Sequence, residues 1–323
     1  MLNIPYSIIE VAKKKKNILL MGMGGGFDVY GGVPIYFTLK KLGINNIHFA
    51  NFSFSSFEEI FQTAEPEIIN SNLIGANHKI FGQPSYYPEG YLAEWLYHIT
   101  KKEIPVWTMN KTGVNPLRAS IRYLIERLEI DLIILLDGGV DSINTGAEEG
   151  SGTILEDAVT ITALSEIEGV DKIVACVGFG TEVEEKVCGY NVLMNMAIAI
   201  KNDGFFGSCS LTKNMECYKF YKSACVYTFN KNGHKTSHIH RRIIPAVEGE
   251  FGDFHSTNED PEGLELFISP IMPIYWFFDY QAIFLTNQLI SRISDTNTWF
   301  EAVQAGVPFV KNTNIYPRLP IPY

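Results

Sequence analysis

The chain has 323 residues, 46% hydrophobic and 13% aromatic, with 19% charged; this suffices for a large buried core and argues against a mainly disordered protein. Its net charge of −10, with Lys13–Lys16 as the one long basic block, argues against a nucleic-acid duplex as partner. The five cysteines (176, 188, 209, 217, 225) are odd in number and form no Cys-x-x-Cys pair, which speaks against a disulfide framework or structural zinc and fits a reducing cytoplasm.

Taken in order, Pro5–Lys15 predicts a helix with lysines at its C-terminal end, where they complement the dipole. The apolar run after Lys13–Lys16 is too short for the core of a signal peptide. Residues 17–22 predict a buried strand that breaks into a glycine turn. Val33–Leu42 predicts a helix stopped by Gly43, and Asn46–Phe52 a second strand. Ser55–Glu59 carries a capping pattern for a short helix. Glu89–Lys101 predicts a helix, Pro105–Met109 a short strand, and Leu117–Leu128 an amphipathic helix. Asp131–Leu136 is the clearest strand. An acidic loop, 146–152, leads to a helix over Ile154–Ile167, then a strand over Lys172–Val177. Helices are expected at Asn191–Lys201 and Lys213–Tyr227. A strand is expected at His238–Val247, a polar loop at Glu248–Pro261 and a strand at Leu264–Ser269. A long helix within Ile271–Ile290 and a last one at Thr296–Ala305 follow. No stretch approaches the roughly 20 apolar residues that span a bilayer. The expectation is one large α/β domain over 1–323, without linker or repeat.

A pattern of strand, glycines and acid recurs three times, at 18–28, 131–141 and 172–184. In an open parallel sheet ligands bind beyond the carboxyl ends of the strands, so the three ends point to one shared site. The first turn is not a dinucleotide fingerprint. Gly22 and Gly24 fit G-x-G-x-x-G, but Phe27 stands at the third glycine and the second strand ends without an acid. No Gly-Lys-Ser/Thr follows, which removes a phosphate loop of the Walker type. What stays open is a phosphate- or ribose-binding turn at Gly24, Gly25 and Gly26, against simple tight packing.

Asp28 suits either a helix N-cap or a ligand-binding carboxylate. Asp137 and Asp141 flank Gly138 and Gly139 at a strand end, a place for a hard cation or a general base, against an Asx-turn. Glu149 reads as a site acid or as solvated loop charge. Asp157, Glu182 and Glu184 read as site acids or as favourable charges on a helix's first turn. Together these carboxylates would repel one another unless a cation, a cationic substrate or protonation relieved them, so a Mg²⁺ site on Asp28, Asp137 and Asp141 is a coherent reading. His234, His238 and His240 are weighed as a zinc set, with His238 and His240 on one strand face, against surface or anion contact. Cys209 is weighed as a nucleophile against a small buried residue. Tyr275–Asp279 reads as core, with Asp279 reaching toward the site edge.

Gly24-Gly-Gly-Phe-Asp28, Asp137-x-Gly139-x-Asp141, Glu148-Glu-Gly150 with Asp157, Gly178-Phe-Gly180 with Glu184, and Ser269-Pro270 ahead of Phe278-Asp279 resemble the domain-of-unknown-function family numbered 1152. That family occurs in archaea and bacteria. Phe27 and Val140 stand where it usually has glycines, and Thr181-Glu182-Val183 replaces an acid–glycine pattern. The resemblance implies a Rossmann-like fold and the location of a site, but no reaction.

The expected fold is three-layer Rossmann-like α/β with a mainly parallel sheet and an elaborated C-terminal part. The expected function is an enzyme hydrolysing, or transferring a group from, a nucleotide or other phosphorylated metabolite with Mg²⁺. Asp28, Asp137, Asp141, Glu149 and Asp157 would do the chemistry. Gly24–Gly26, Gly138, Gly139, Gly178, Gly180 and Glu184 would bind the ligand. The alternatives are a nucleotide-sensing module without chemistry and an NAD-dependent oxidoreductase. A cytoplasmic location is expected, and a homo-oligomer is left open.

Overall fold

The computed structural model describes residues 1–323 except 232, 255–265, 314 and 322–323. The chain opens with helix α1 (Tyr6–Lys13), strand β1 (Ile18–Gly22), α2 (Gly32–Lys41) and β2 (Ile47–Phe52). Then come α3 (Phe57–Thr63), the hairpin β3 (Glu67–Asn70) and β4 (Leu73–Ala76), α4 (Pro88–Thr100) and β5 (Val106–Met109). Next are α5 (Val114–Leu128), β6 (Leu132–Asp137), α6 (Ile154–Leu164), β7 (Asp171–Val177), α7 (Gly189–Lys201) and β8 (Phe205–Ser210). The chain continues through α8 (Glu216–Phe229), α9 (His238–Glu248), β9 (Ile274–Asp279), α10 (Tyr280–Thr286), α11 (Ile290–Ile293) and α12 (Trp299–Thr313).

The strands form one sheet in the order β3-β4-β5-β2-β1-β6-β7-β9-β8. The central five, β5 through β7, run parallel, and antiparallel strands extend both edges. Alternate side chains of β1 feed opposite layers. Ile18 and Leu20 join the core under α1, α2, α4 and α8, whereas Leu19 and Met21 join the core under α5, α6, α7 and α12. Burial on both faces explains why β1 and β6 read as continuous apolar runs. The architecture is therefore three-layer Rossmann-like α/β.

Topology already locates the site. From β1 the chain moves outward through β2 to β5, then returns to β6 on the other side of β1. The connections diverge at the β1/β6 boundary, and a crevice opens there beyond the strand ends. Register makes those ends level: Gly22 pairs with Leu136, and Asp137 with Cys176.

Three sequence expectations are corrected. Residues 238–247 are not a strand but α9, in which His240, Ile243 and Val247 are buried at spacings of three and four and Ser237 caps the start. Short windows of mixed polarity fit both periods, and packing beside α8 selects the helical one. Nor does Ile271–Ile290 contain a long helix. Its aromatic run, Tyr275 to Phe278, lies between β7 and β8 as β9, and Asp279 then caps α10 by accepting from the Gln281 amide at 2.9 Å. Because β9 is antiparallel to β7, Asp279 pairs with Ile173 at the end of the sheet away from the crevice, so it does not reach the site. The strand expected at Leu264–Ser269 lies partly outside the described residues; within 266–269 there is one bridge, Ile268 to Gly252. The β3–β4 hairpin and β8 are additional strands, formed on ladders of neighbours distant in sequence.

Candidate functional site

A cavity of about 200 Å³ sits in the crevice between the β1, β6 and β7 ends, closed on its far side by the start of α9. The turn after β1 forms one wall. Gly25 and Gly26 take φ of 99° and 60°, which glycine adopts without strain. Asn51 at the end of β2 supports this turn, donating to the Gly26 carbonyl at 2.9 Å and to buried Glu89 at 2.7 Å. Phe54 packs against the turn from the cavity side.

Asp28 joins two walls. Its carboxylate accepts from the Gly24 amide at 2.6 Å and from the Gly138 amide at 3.1 Å, so one side chain ties the β1 turn to the β6 turn. Two of the amides expected to hold phosphate are thereby occupied. Asp28→Ala leaves both without that acceptor, and we expect a loss of about 1–2 kcal/mol in chemical denaturation with chelator present. An unchanged midpoint would show that the clamp carries no weight.

The floor carries Asp137, Asp141 and Asp157, each with an oxygen within 4.8 Å of one from the others. Asp137 Oδ2 accepts from the Ser142 amide at 3.2 Å and from the Ser142 hydroxyl. Asp141 Oδ2 accepts from the Thr153 amide at 2.6 Å and its hydroxyl at 2.9 Å. Neighbours thus orient both carboxylates through Oδ2, the way outer-shell partners fix the ligands of a metal. Asp157 differs: it is 1% exposed, and among the described residues neither of its oxygens has a hydrogen-bond partner. Burying a carboxylate without partners costs several kcal/mol, so such a group either holds a proton or awaits a cation.

The electrostatics agree. Burial, then repulsion from Asp141, pushes Asp137 up to about 8, and burial pushes Asp141 up to about 6. Burial first, then neighbouring carboxylates, raises Asp28, Asp157 and Glu182 well above the usual carboxylate range. Three carboxylates converging on one point form a hard oxygen donor set of the kind that suits Mg²⁺, Mn²⁺ or Ca²⁺.

Other sequence candidates lie elsewhere. Glu149 is exposed, and its backbone amide and carboxylate bond to Tyr316 and Arg318 of the C-terminal segment rather than facing the cavity. Glu184 is taken by Arg242 in a two-pronged ion pair. Burial raises that carboxyl, but the Arg242 bonds outweigh it and hold it below the usual range. Gly178 shapes the turn after β7, its carbonyl accepting from the Thr181 amide and hydroxyl. Gly180 faces a smaller neighbouring hollow beside Phe179 and Arg318. Gly139 sits on the Glu182 carboxylate, where an added Cβ would fall 2.6 Å from Cδ.

The histidines do not form a set. His240 is buried and neutral, its pKa pushed by burial down to about 4. Its Nε2 donates to the Phe27 carbonyl at 2.9 Å and Nδ1 accepts from Tyr221 at 2.6 Å, so both nitrogens are engaged. His234 Nε2 accepts from the Tyr87 amide at 2.8 Å. Cys209 is buried on β8, and burial pushes its thiol up to about 12, the opposite of an activated nucleophile.

Of the remaining lining, the sequence offered Glu182 as a site acid or a helix-turn charge without choosing between them, and left the rest out of the candidate set. Glu182 lines the cavity and accepts from the Val140 amide at 2.7 Å; its place two residues past Gly180 was the available signal. Glu185 and Thr153 line it too. In the turn 236–239 at the start of α9 only His238 drew notice, as a zinc candidate, because the turn reaches the cavity from far along the chain.

A family model described as "Protein of unknown function (DUF1152)" matches residues 92–313, more than half of the chain. The chain belongs to the DUF1152 family. The matched part holds Asp137, Asp141, Asp157, Glu182 and α9, while the glycine turn and Asp28 precede it. No curated protein and no solved structure matches this DUF1152 chain. Among the described residues, no helix is long and apolar enough to cross a membrane.

Proposed function

We propose that this DUF1152 protein is an enzyme that holds a divalent cation, Mg²⁺ or Mn²⁺, on Asp137, Asp141 and Asp157 and acts on a nucleotide or other phosphorylated small molecule by hydrolysis or group transfer. The observation that carries the reading is the pair of buried, unpartnered Asp157 oxygens beside two carboxylates already oriented through their other oxygens. A cation bound there would neutralise phosphoryl oxygens and acidify water. The chain's own residues supply the rest. Asp28 keeps the two glycine turns in register, and Phe54 offers an apolar face at the mouth. Glu182, buried in the cavity lining and accepting from the Val140 amide, would give a proton to the leaving oxygen as the P–O bond breaks.

The cavity suits a phosphoryl group rather than a whole nucleotide, since small-molecule sites usually exceed about 300 Å³. A wider groove of about 690 Å³, sharing Thr236 and His238 and lined also by Phe229 and Lys235, gives the remainder of such a molecule room. The test is a thermal-shift screen of nucleotides and sugar phosphates with and without Mg²⁺, followed by assay of the hits for released phosphate or transferred group. Cation-dependent stabilisation with turnover is expected. Stabilisation without turnover would favour a sensing module, and a preference for NAD an oxidoreductase. Absence of any divalent-cation response at pH 8 would overturn the reading.

A further inference from the structure

The cavity has a second kind of wall. Thr236, Ser237, His238 and Ile239 bring the start of α9 to its edge, facing the carboxylates. α9 is 11 residues long and has no acid in its own first turn to offset the positive end of its dipole. Ser237 Oγ accepts from the His240 amide at 3.2 Å, and the Ser237 carbonyl from the Arg241 amide at 3.2 Å. The His238 and Ile239 amides have no acceptor among the described residues. Glu184 stands 3.7 Å from His238 Nδ1, and its charge is already matched by Arg242. Independently, the 1% exposed and unpartnered Asp157 carboxylate opens into the same cavity.

A cavity with free amides at its edge and an unpartnered carboxylate in its floor fits an anion and a cation together. We propose that the first turn of α9, through the His238 and Ile239 amides, seats the phosphoryl oxyanion of the substrate opposite the cation. This rests on the cation reading above, because without a cation the carboxylates would repel the anion. The α9 amides add to what the glycine turns offer, where Asp28 already occupies the Gly24 and Gly138 amides. Helix N-termini bind phosphate by this combination of free amides and dipole.

The experiment is calorimetric titration of inorganic phosphate into the full chain with and without Mg²⁺, alongside melting curves with Mg²⁺ alone. His238→Pro deletes one amide donor at a helix position where proline is favoured, and Ser237 before it is already extended at φ −92° and ψ 123°. His238→Ala deletes the ring and keeps the amide. Ser237→Asp keeps a good cap and places a negative charge at the seat. Phosphate should bind with Mg²⁺ present, His238→Ala should retain that binding, and His238→Pro should weaken it at least about tenfold. Ser237→Asp should abolish it while melting no lower than the parent. Phosphate binding unchanged in both His238→Pro and Ser237→Asp, or no phosphate binding although Mg²⁺ shifts the melting temperature, would overturn the α9 seat. A failed Mg²⁺ response in the melting curves alone counts against the cation reading and not against the seat, if phosphate binds and the variants weaken it.

Discussion

Asp157→Asn is expected to abolish the response to divalent cations while leaving the cation-free protein at least as stable as the parent. Asp157 makes no hydrogen bond that the substitution would break. Its carboxylate is buried and faces Asp141, Asp137 and Asp28, so replacing it with a neutral amide of the same shape removes a burden from the cation-free fold. With the cation, the balance reverses. A ligand at a hundred times its dissociation constant stabilises by about 2.7 kcal/mol, which for a chain of this size is a shift of about 4 °C. Removing one of three charged ligands should collapse that shift to near zero. Melting curves in chelator and in Mg²⁺ or Mn²⁺ check both halves. If the substitution instead lowers the cation-free midpoint as far as Asp28→Ala does, Asp157 is structural and the metal assignment falls.

The second large effect is a dependence on pH that the cation reverses. Asp137 is pushed up to about 8 and Asp141 to about 6, with burial the first cause in each. An unfolded aspartate titrates near 3.9. Between about pH 4 and 8 the folded chain therefore holds protons that the unfolded chain has lost, and stability must fall as pH rises through that window. Each retained proton is worth about 1.4 kcal/mol per pH unit, so cation-free stability should drop by at least about 2 kcal/mol from pH 5.5 to 8. A bound cation needs those protons gone, so its affinity rises across the same interval. The expected result is a small cation shift at pH 5.5 and the largest at pH 8. A flat or rising cation-free profile, with a cation shift independent of pH, would contradict the carboxylate cluster as described.

Much of the fold was legible because burial leaves local traces. β1, β6 and β7 are buried on both faces in their central residues, and such strands can only be apolar runs; the glycines and acids that follow mark where those runs stop. The family resemblance also held, the family model matching residues 92–313. Less legible were elements whose conformation is decided by partners far away. The aromatic stretch Tyr275–Phe278 could have packed as a helix; it is a strand because β7 and β8 offer ladders on either side. The 238–247 segment could have alternated as a strand; it is a helix because Ser237 caps it and its buried side chains meet α8 and the β1 turn.

The site divides along the same line. The sequence by itself determined that acids follow buried strands at positions 28, 137, 141 and 182, because strand ends and glycine turns are local features. Only the tertiary structure separated their roles, since a carboxylate's character depends on what surrounds it. Asp28 spends its oxygens on two backbone amides, Glu184 on Arg242, and Glu149 faces away. Asp157 sits on the first turn of a helix, where a favourable dipole was the bland expectation, and becomes the most exacting group in the cavity because folding buries it among other acids and gives it no partner. The wall formed by α9 arises from chain that follows Asp157 by about eighty residues, and only the closing of the sheet brings the two to one cavity.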